Sequence, residues 1–269
     1  MILVAGHYCH DTLVGNAGSA QALGGSAAYA SAILDALGEP HRVIAKVGGD
    51  FRYAAQVSHA PVVVAGRTTA FVDDYRGGER RQRLEAAAPP IEPSELEGRF
   101  DLGIACGVAG ELPLRTLLRM REICGVLVAD AQALLRAVSP GNELLLRPPD
   151  PAALETLDCL KASRREAALL DLRELKKRMI LLITDGSRGC EVLGRGLEAH
   201  VPAFPAEEKD PTGAGDWFLA GFAAGLVRGH GAVAAARVGA YCGARAVEQV
   251  GVPRLTPAQA SAARALASG

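Results

Sequence analysis

A glycine-rich turn followed at once by a carboxylate occurs near the carboxyl end of the chain, in the segment KDPTGAGDWFLAGFAAG at 209–225. Gly213 and Gly215 permit backbone conformations that other residues avoid, so successive amides at 213–216 can point at one anion. The apolar run that follows predicts a helix, whose positive dipole end favours a bound anion and the ionised form of Asp216. The segment therefore predicts an anion-binding turn beside a carboxylate that can accept a proton.

Phosphoryl transfer to an alcohol requires these two parts. The charge that develops on the transferred group needs fixed donors, and the attacking hydroxyl needs a proton acceptor within hydrogen-bond reach. The sequence predicts the amides of Gly213, Ala214 and Gly215 as donors and Asp216 as the base. A lone GxGD is weak evidence, because an ordinary glycine turn before a helix has the same spacing. The chain has no GxxxxGKS stretch, which excludes a Walker-type phosphate loop.

The full string DPTGAGDWFLAG is more specific than its spacing, and it resembles the C-terminal signature of the PfkB/ribokinase family of small-molecule kinases. Further phrases extend the resemblance over nearly the whole chain: VAGHYCHD, LGGSAAYAS, KVGGDFRY, LKASRREA and ITDGSRG. Within the family, GHYCHD, KVGGDFRY and LKAS are most similar to the inositol 3-kinases. The resemblance implies ATP-dependent phosphorylation of a hydroxyl on a small polyol, with myo-inositol first. A sugar or nucleoside kinase, or a catalytically silent binding protein on this fold, are the alternatives.

The resemblance assigns substrate binding to three residues near the amino terminus. Asp11 would accept hydrogen bonds from the polyol, since one carboxylate can receive two neighbouring hydroxyls. From the residues alone, Asp11 is equally well a turn residue in the loop before Thr12. Gly24 and Gly25 match the diglycine of the N-terminal signature, where the main chain approaches the substrate. Ser26 is a candidate N-cap for the helix that follows.

The nucleotide would be held by a different part of the chain. Thr184, Gly186 and Gly189 in ITDGSRG resemble the family's loop for the nucleotide phosphate and ribose. The region 239–251 is the expected wall for adenine, although the asparagine that some relatives use is Ala240 here. We therefore expect adenine to be recognised through apolar and backbone contacts.

Glu166 is the candidate metal-linked residue, because SRRE occupies the place of the family's NxxE motif. That motif acts on the Mg²⁺ of the bound nucleotide, usually through water, and a carboxylate is a ligand that Mg²⁺ favours. Ser163 stands where asparagine is usual, and SRRE is also an ordinary capping box. His7, Cys9 and His10 suggest zinc, but neighbouring residues of a strand point to opposite faces and no second cluster completes the site.

Short β-rich apolar runs alternate with helical patterns along the chain, which predicts an α/β fold with a mostly parallel sheet flanked by helices. The expected helices are 26–37, 217–228, 232–249 and 257–267. Four strand-like runs end in small or polar residues: Gly6, Gly107, Asp130 and Asp185. Ligands of open α/β sheets bind beyond the carboxyl ends of the strands, so the site is expected there.

The segment at about 62–87 interrupts this alternation, because VVVAG, TTAFVDDY and RRQRLEA carry β-type residues around Gly77 and Gly78. It predicts a hairpin outside the main sheet. In relatives of the family such strands form a lid over the substrate and sometimes a dimer interface. The resemblance thus implies one kinase domain at 1–269 with an inserted β lid, as a monomer or a homodimer through the lid. A plain edge hairpin is the alternative.

Composition narrows the classes of partner. With 269 residues, 49% of them hydrophobic and 22% charged, the chain can bury a large core. A formal charge of -1 gives no field that favours nucleic acid or an anionic membrane, so a small-molecule partner is expected. The N-terminal stretch resembles no signal peptide. Six scattered cysteines without a CxxC pair indicate a reducing compartment, and we expect a cytoplasmic protein.

Overall fold

The computed structural model describes residues 1–16, 18–77 and 81–266, and its centre is an eight-stranded sheet. The strands of this sheet are β1 (Ile2–Ala5), β4 (His41–Ile44), β9 (Phe100–Ala105), β10 (Cys124–Asp130), β13 (Cys159–Ser163), β14 (Ile180–Thr184), β15 (Cys190–Gly194) and β16 (Leu197–Val201). The order is β16-β15-β14-β13-β10-β9-β1-β4. All neighbours from β4 to β14 pair in parallel, and β15 and β16 add an antiparallel edge. The predicted α/β fold with a mostly parallel sheet is confirmed.

Helices cover both faces of the sheet. They are α1 (Ser26–Leu37), α2 (Leu114–Ile123), α3 (Gln132–Leu135), α4 (Pro151–Glu155), α5 (Arg164–Ala167), α6 (Leu172–Leu175), α7 (Ala214–Val227), α8 (Ala232–Ala246) and α9 (Pro257–Ala265). Side chains of β1 alternate between two apolar cores: Ile2 and Val4 join the core with α1, α7 and α8, and Leu3 joins the core with α2. A strand buried on both faces has this pattern. No helix in the described ranges is long and apolar enough to cross a membrane.

A second sheet of four strands forms the lid. Its strands are β2 (Cys9–Gly15), β3 (Gly18–Gly24), β7 (Thr69–Asp74) and β8 (Arg81–Ala86), in the order β3-β2-β7-β8. The predicted hairpin corresponds to β7 and β8, which are antiparallel. Gly77 lies in the turn between them, whereas Gly78 of the predicted turn lies outside the described residues.

The predicted lid began too early in the chain and left out two of the strands that form it. Val62–Val64 forms β6, which pairs in parallel with β5 (Lys46–Gly48) in a separate two-stranded sheet. The strands β2 and β3 were not predicted as part of the lid, and β2 places Asp11 in a strand instead of a loop. The strand β2 pairs with the distant strand β7, and β3 is added to the sheet through its antiparallel pairing with β2. A further short hairpin consists of β11 (Arg136–Val138) and β12 (Leu144–Leu146).

Helix α7 is packed tightly against α8 through glycines. All of α7 from Trp217 to Gly225 is buried. A Cβ atom at Gly225 would lie 2.7 Å from the Cα atom of Ala235, and one at Gly221 would lie 2.8 Å from the Sγ atom of Cys242. Both helices therefore approach more closely than side chains would allow, and this contact determines where the N-terminus of α7 lies.

We expect Gly225→Ala to destabilise the protein. The added methyl group must displace the backbone of α8, and overpacking of this kind costs about 1–3 kcal/mol, of which the better helix propensity of alanine returns at most about 1 kcal/mol. The free energy of unfolding in urea measures the effect. Gly49→Ala is the matched control, because a Cβ atom there meets nothing within 4 Å. Equal stability of the two variants would contradict the proposed packing constraint.

Candidate active site

A cleft of about 340 Å³ lies between the carboxyl ends of the parallel strands and the lid. Asp130 ends β10, and Asp216 comes from the first turn of α7. The lid contributes a lining residue from each of three strands, namely Asp11, Phe71 and Gln82. A cleft therefore forms at the strand ends, as the sequence predicted, and the lid brings Asp11 to the same cleft as Asp216.

The other predicted strand-end residues serve different purposes. Gly6, Gly107 and Asp185 are not among the described residues that line the cleft. Asp185 forms an ion pair with Arg188 at 2.7 Å. A Cβ atom at Gly6 would lie 2.7 Å from the carbonyl oxygen of Cys106, so this glycine allows two strands to pass closely.

The GAG turn at 213–215 begins α7 directly. Gly213 is the N-cap residue with φ +78°, and a Cβ atom there would lie 2.1 Å from the ring of Tyr29. Helix α7 consequently begins at Ala214, three residues before the predicted start. The amides of Gly215 and Asp216 belong to the first turn and thus have no acceptor within the helix, whereas the Ala214 amide already contacts the carbonyl oxygen of Pro211 at 3.3 Å.

Asp216 lies in a network of polar side chains. The Nε2 atom of Gln132 is 3.4 Å from Oδ1 of Asp216 and donates to the hydroxyl oxygen of Ser26 at 2.8 Å. The Ser26 hydroxyl is itself hydrogen-bonded to Asp216. The predicted role of Ser26 as N-cap was wrong, because Gly25 occupies that position with φ +89° and Ser26 is the first helical residue. Its hydroxyl is therefore available to orient the predicted base.

Burial raises the pKa of Asp216 to about 6, and the nearby carboxylate of Asp130 adds to the shift. The hydroxyl of Ser26 and the ammonium of Lys161 act in the opposite direction. The sequence suggested that the helix dipole would keep Asp216 ionised, but desolvation and like-charge repulsion outweigh the dipole here. A carboxylate with a pKa near 6 is still mostly ionised at neutral pH and is a stronger base than an ordinary aspartate.

A buried ion pair lies beside the predicted base. The Nζ atom of Lys161 is 2.9 Å from Oδ2 of Asp130, and the two side chains are only 8% and 2% exposed. Burial alone would lower the pKa of Lys161, but the charges of Asp130, Glu166 and Asp216 raise it above its usual value. A Cβ atom at Gly215 would lie 2.5 Å from this Nζ atom. Lys161 is therefore a fixed positive charge at the start of α7.

Sequence reasoning missed Lys161, although its phrase LKAS carried part of the family resemblance. The available signal was a charged residue inside the otherwise apolar strand β13, whose neighbours are buried. Such a residue requires a buried partner of opposite charge. That partner, Asp130, is 31 positions away on β10, and only the pairing of β10 with β13 brings the two together.

Glu166 forms the capping box that was the structural alternative for SRRE. Its Oε2 atom accepts hydrogen bonds from the amide of Ser163 at 2.8 Å and from the Ser163 hydroxyl at 2.7 Å. Glu166 also lines the cleft with Asp130 and Asp216, so three carboxylates surround one space. Oxygen donors of this kind fit Mg²⁺, which usually keeps several waters. The capping role and a metal-linked role are compatible at this position.

The predicted diglycine gives Asp11 the space that it occupies. A Cβ atom at Gly24 would lie 2.0 Å from Oδ2 of Asp11, and one at Gly25 would lie 2.3 Å from the carbonyl oxygen of His7. Asp11 itself is buried. The two glycines thus allow the lid strand β3 to join α1 directly above the cleft while the carboxylate of Asp11 fits beneath it.

A second cavity of about 420 Å³ lies on the other side of the turn. Thr184, Gly186 and Gly189 line it, as expected for a nucleotide loop. Part of the region predicted as the adenine wall also lines it, through Ala240, Gly243, Ala244 and Val247, whereas residues 250–251 line a different cavity. Gly215 lines both this cavity and the cleft that holds Asp216. The two spaces therefore meet at the start of α7.

Fold and site together define a ribokinase-like small-molecule kinase. The family model described as "pfkB family carbohydrate kinase" matches residues 102–259. The chain is 40% identical to an inositol 3-kinase of Zea mays, with 95% of this chain and 74% of that protein covered, and 42% identical to one of Oryza sativa, with 95% and 70% covered. It resembles a solved pyrophosphate-dependent kinase of the ribokinase family, complexed with a pyrophosphate analog and myo-inositol, with a TM-score of 0.83 and 25% identity over 97% and 100% of the chains.

The chain belongs to the pfkB family of carbohydrate kinases. It is a phosphotransferase that acts on a hydroxyl group. The family resemblance and the α/β fold predicted from the sequence are both confirmed.

We expect Lys161→Met to shift the pH dependence of turnover. Removal of the ammonium takes away a positive charge that offsets the repulsion between Asp216 and Asp130. The pKa of Asp216 should therefore rise further, and the acid limb of kcat should move to higher pH. The unpaired Asp130 should also cost about 3–5 kcal/mol of stability. Profiles of kcat against pH test the shift, with Lys177→Met, at an exposed ion pair, as control. An unchanged acid limb in a folded variant would contradict this role.

Proposed function

We propose that this protein transfers the γ-phosphoryl group of ATP to one hydroxyl group of myo-inositol. The single observation that supports the proposal best is the meeting of two spaces at Gly215. A cleft with Asp11 and Asp216 lies on one side, and a cavity with Thr184 and Gly189 lies on the other. The similarity to inositol 3-kinases of three plants, over 94–95% of this chain, supports the choice of acceptor.

The cleft offers polar groups on several sides of an acceptor. Asp11 supplies a carboxylate and Gln82 an amide from the lid, and Arg136 supplies a guanidinium from β11. myo-Inositol carries a hydroxyl on every ring carbon, so it needs both donors and acceptors around its edge. We assign Asp11, Gly24 and Gly25 to acceptor binding, with the glycines providing the space that Asp11 needs.

In the proposed mechanism Asp216 accepts the proton of the attacking hydroxyl. Gln132 and Ser26 hold its carboxylate in place, and its raised pKa makes it an effective base near neutral pH. We assign the amides of Gly213, Ala214 and Gly215 as donors to the transferred group, together with the positive end of α7. The Ala214 amide would exchange its contact with the Pro211 carbonyl oxygen for this role. Lys161 contributes a fixed positive charge beside them. Mg²⁺, held near Glu166, would neutralise charge on the phosphates of the donor.

ATP is the donor that the second cavity favours. Its wall beyond Thr184 consists largely of apolar and backbone groups, among them Phe204, Phe218 and Val247. Such a wall suits the flat apolar face of adenine, whereas pyrophosphate has no group that could occupy it. Pyrophosphate is nevertheless a second candidate, because the chain resembles pyrophosphate-dependent kinases of its fold at 25% identity and TM-scores of 0.83 and 0.84.

Assembly and location are part of the proposal. The lid has an edge strand in β3 that can pair with a second copy, whereas the outer side of β8 already contacts residues 142–143, so we propose a monomer or a homodimer through the lid. All six cysteines are buried and reduced, which suits a cytoplasmic protein.

A donor and acceptor panel tests the function. ATP and pyrophosphate are each assayed against inositols, ribose, fructose and nucleosides. We expect turnover with ATP and myo-inositol. Selective turnover of a sugar or nucleoside would replace the proposed acceptor, and use of pyrophosphate alone would replace the proposed donor. Ligand binding without turnover would indicate a silent binding protein.

A variant of the second cavity tests the adenine site. Ala244→Leu should raise KM for ATP about tenfold or more, because overpacking of the cavity costs about 1–3 kcal/mol. Ala234→Leu, on the same helix but outside the cavity, is the control.

We expect Asp216→Asn to lose activity while it gains stability. Loss of the base should lower kcat about 10²- to 10⁴-fold while nucleotide binding is retained. Because the pKa of Asp216 in the folded chain lies above its usual 3.8, its ionised form destabilises the fold above pH about 6. Near pH 8 the free energy of unfolding of the variant in urea should therefore exceed that of the original chain by up to about 2–3 kcal/mol. This difference should shrink as the pH falls below about 6. Near-normal turnover would remove Asp216 from the role of base.

A further inference from the structure

A second polar cluster lies on the far side of α1, away from the cleft. Asp35 is near the end of α1, His41 begins β4, and His59 precedes β6. One ligand atom from each residue lies within 4.8 Å of the other two. The carboxylate oxygen Oδ1 of Asp35 is 3.9 Å from the Nε2 atom of each histidine. The group is independent of the proposed kinase site, because none of the three residues lines the cleft or the adenine cavity.

His41 is oriented as histidine ligands of metals are. Its Nδ1 atom lies 2.8 Å from the backbone carbonyl oxygen of Glu39, which can only accept, so Nδ1 carries the proton and Nε2 keeps its lone pair. This lone pair accepts a hydrogen bond from the Ser31 hydroxyl at 2.9 Å, which a bound metal ion would replace. Outer contacts of this type fix the tautomer and the ring direction of metal-binding histidines. The His41 side chain is 2% exposed, so the ring has little freedom to turn away.

The other two ligands are also held from outside. The hydroxyl of Ser58 donates to Oδ2 of Asp35, which leaves Oδ1 directed toward the histidines. The hydroxyl of Tyr8 donates to the backbone carbonyl oxygen of His59 at 3.0 Å and so anchors the segment that carries this ring. The two imidazoles are in contact, with ring centroids 4.2 Å apart and ring planes tilted by 46°. The three ligands thus have fixed directions although they come from three separate elements.

We propose that Asp35, His41 and His59 form a site for a Zn²⁺-type transition-metal ion. Two imidazole nitrogens and one carboxylate oxygen suit Zn²⁺ or Co²⁺, whereas Mg²⁺ prefers a shell of oxygen atoms. Ligands at about 2.0–2.2 Å from a tetrahedral ion are about 3.3–3.5 Å apart, so the pairs at 3.9 Å need to close by only about half an ångström.

A fourth ligand can enter from solvent. Asp35, Ser31 and Ser58 line a cavity of about 610 Å³ that is open to the surface. A tetrahedral ion with three protein ligands therefore keeps one position for water or a small anion. The metal would connect α1, β4 and the segment at 57–61, which leads through β6 toward the lid. None of its ligands lines the cleft, so we assign it a structural role, which is to hold these three parts of the chain together.

Calorimetric titration with ZnCl₂ tests the proposal on the full chain after removal of metals by a chelator. Excess Mg²⁺ is included to occupy the oxygen-rich cleft. Because all six cysteines are buried, thiolates do not compete for the ion. We expect one tight Zn²⁺ site, a rise in Tm on binding, and visible absorption of a tetrahedral Co²⁺ complex when Co²⁺ replaces Zn²⁺.

Three variants separate this site from other binding. His59→Ala and Asp35→Asn should each weaken Zn²⁺ binding by about 100-fold or more, beyond what loss of an outer contact costs, and should abolish the Co²⁺ spectrum. Asp35→Asn keeps the shape of the side chain, so it remains informative if His59→Ala folds poorly. His200→Ala, at an exposed histidine of β16, should bind as the original chain does. Absence of tight Zn²⁺ binding, or equal binding in all three variants, would overturn the proposal.

Discussion

Two carboxylates and one ammonium share the buried space at the start of α7, and the site depends on their balance. Asp130 and Asp216 repel each other, and burial adds to the cost of their charges. Lys161 reduces this cost through its contact with Asp130 and its proximity to Asp216. The outcome is a carboxylate, that of Asp216, whose pKa is raised to about 6 but which is still mostly charged at neutral pH. Without Lys161, the same burial would leave two unpaired charges in a small space.

The balance among the charges of Asp130, Lys161 and Asp216 depends on the exact position at which α7 begins. Gly213 and Gly215 have no side chains because Tyr29 and Lys161 occupy the space that these would need. At the other end of the helix, Gly225 allows α8 to approach within backbone contact. The glycines of this segment thus serve two purposes. Those in the turn admit the charged groups and any anion, and those in the helix hold α7 against its neighbour.

The lid brings Asp11 to the same cleft as Asp216. Asp11 follows the first strand by only a few residues, whereas Asp216 lies more than two hundred positions later. After β1 the chain leaves the main sheet, and β2 pairs in parallel with β7 in the lid. This pairing brings Asp11 to the cleft at the carboxyl ends of the core strands. The same excursion brings Phe71 and Gln82 to the cleft. One small sheet therefore supplies three of the residues that line the cleft.

Local sequence was sufficient for the fold class, the helix at 26–37, the glycine turn before Asp216 and the family. The fold class, the helix and the turn depend on residue periodicity and on backbone freedom within a few residues, which the sequence displays directly. The family was indicated by the resemblance of the string DPTGAGDWFLAG to the family's signature. The strands β2 and β3, the separate pairing of Val62–Val64, the ion pair of Lys161 with Asp130 and the cause of the raised pKa of Asp216 emerged only from the tertiary structure. Each of them depends on contacts between residues distant in the chain, and burial and long-range charge have no local sequence signal.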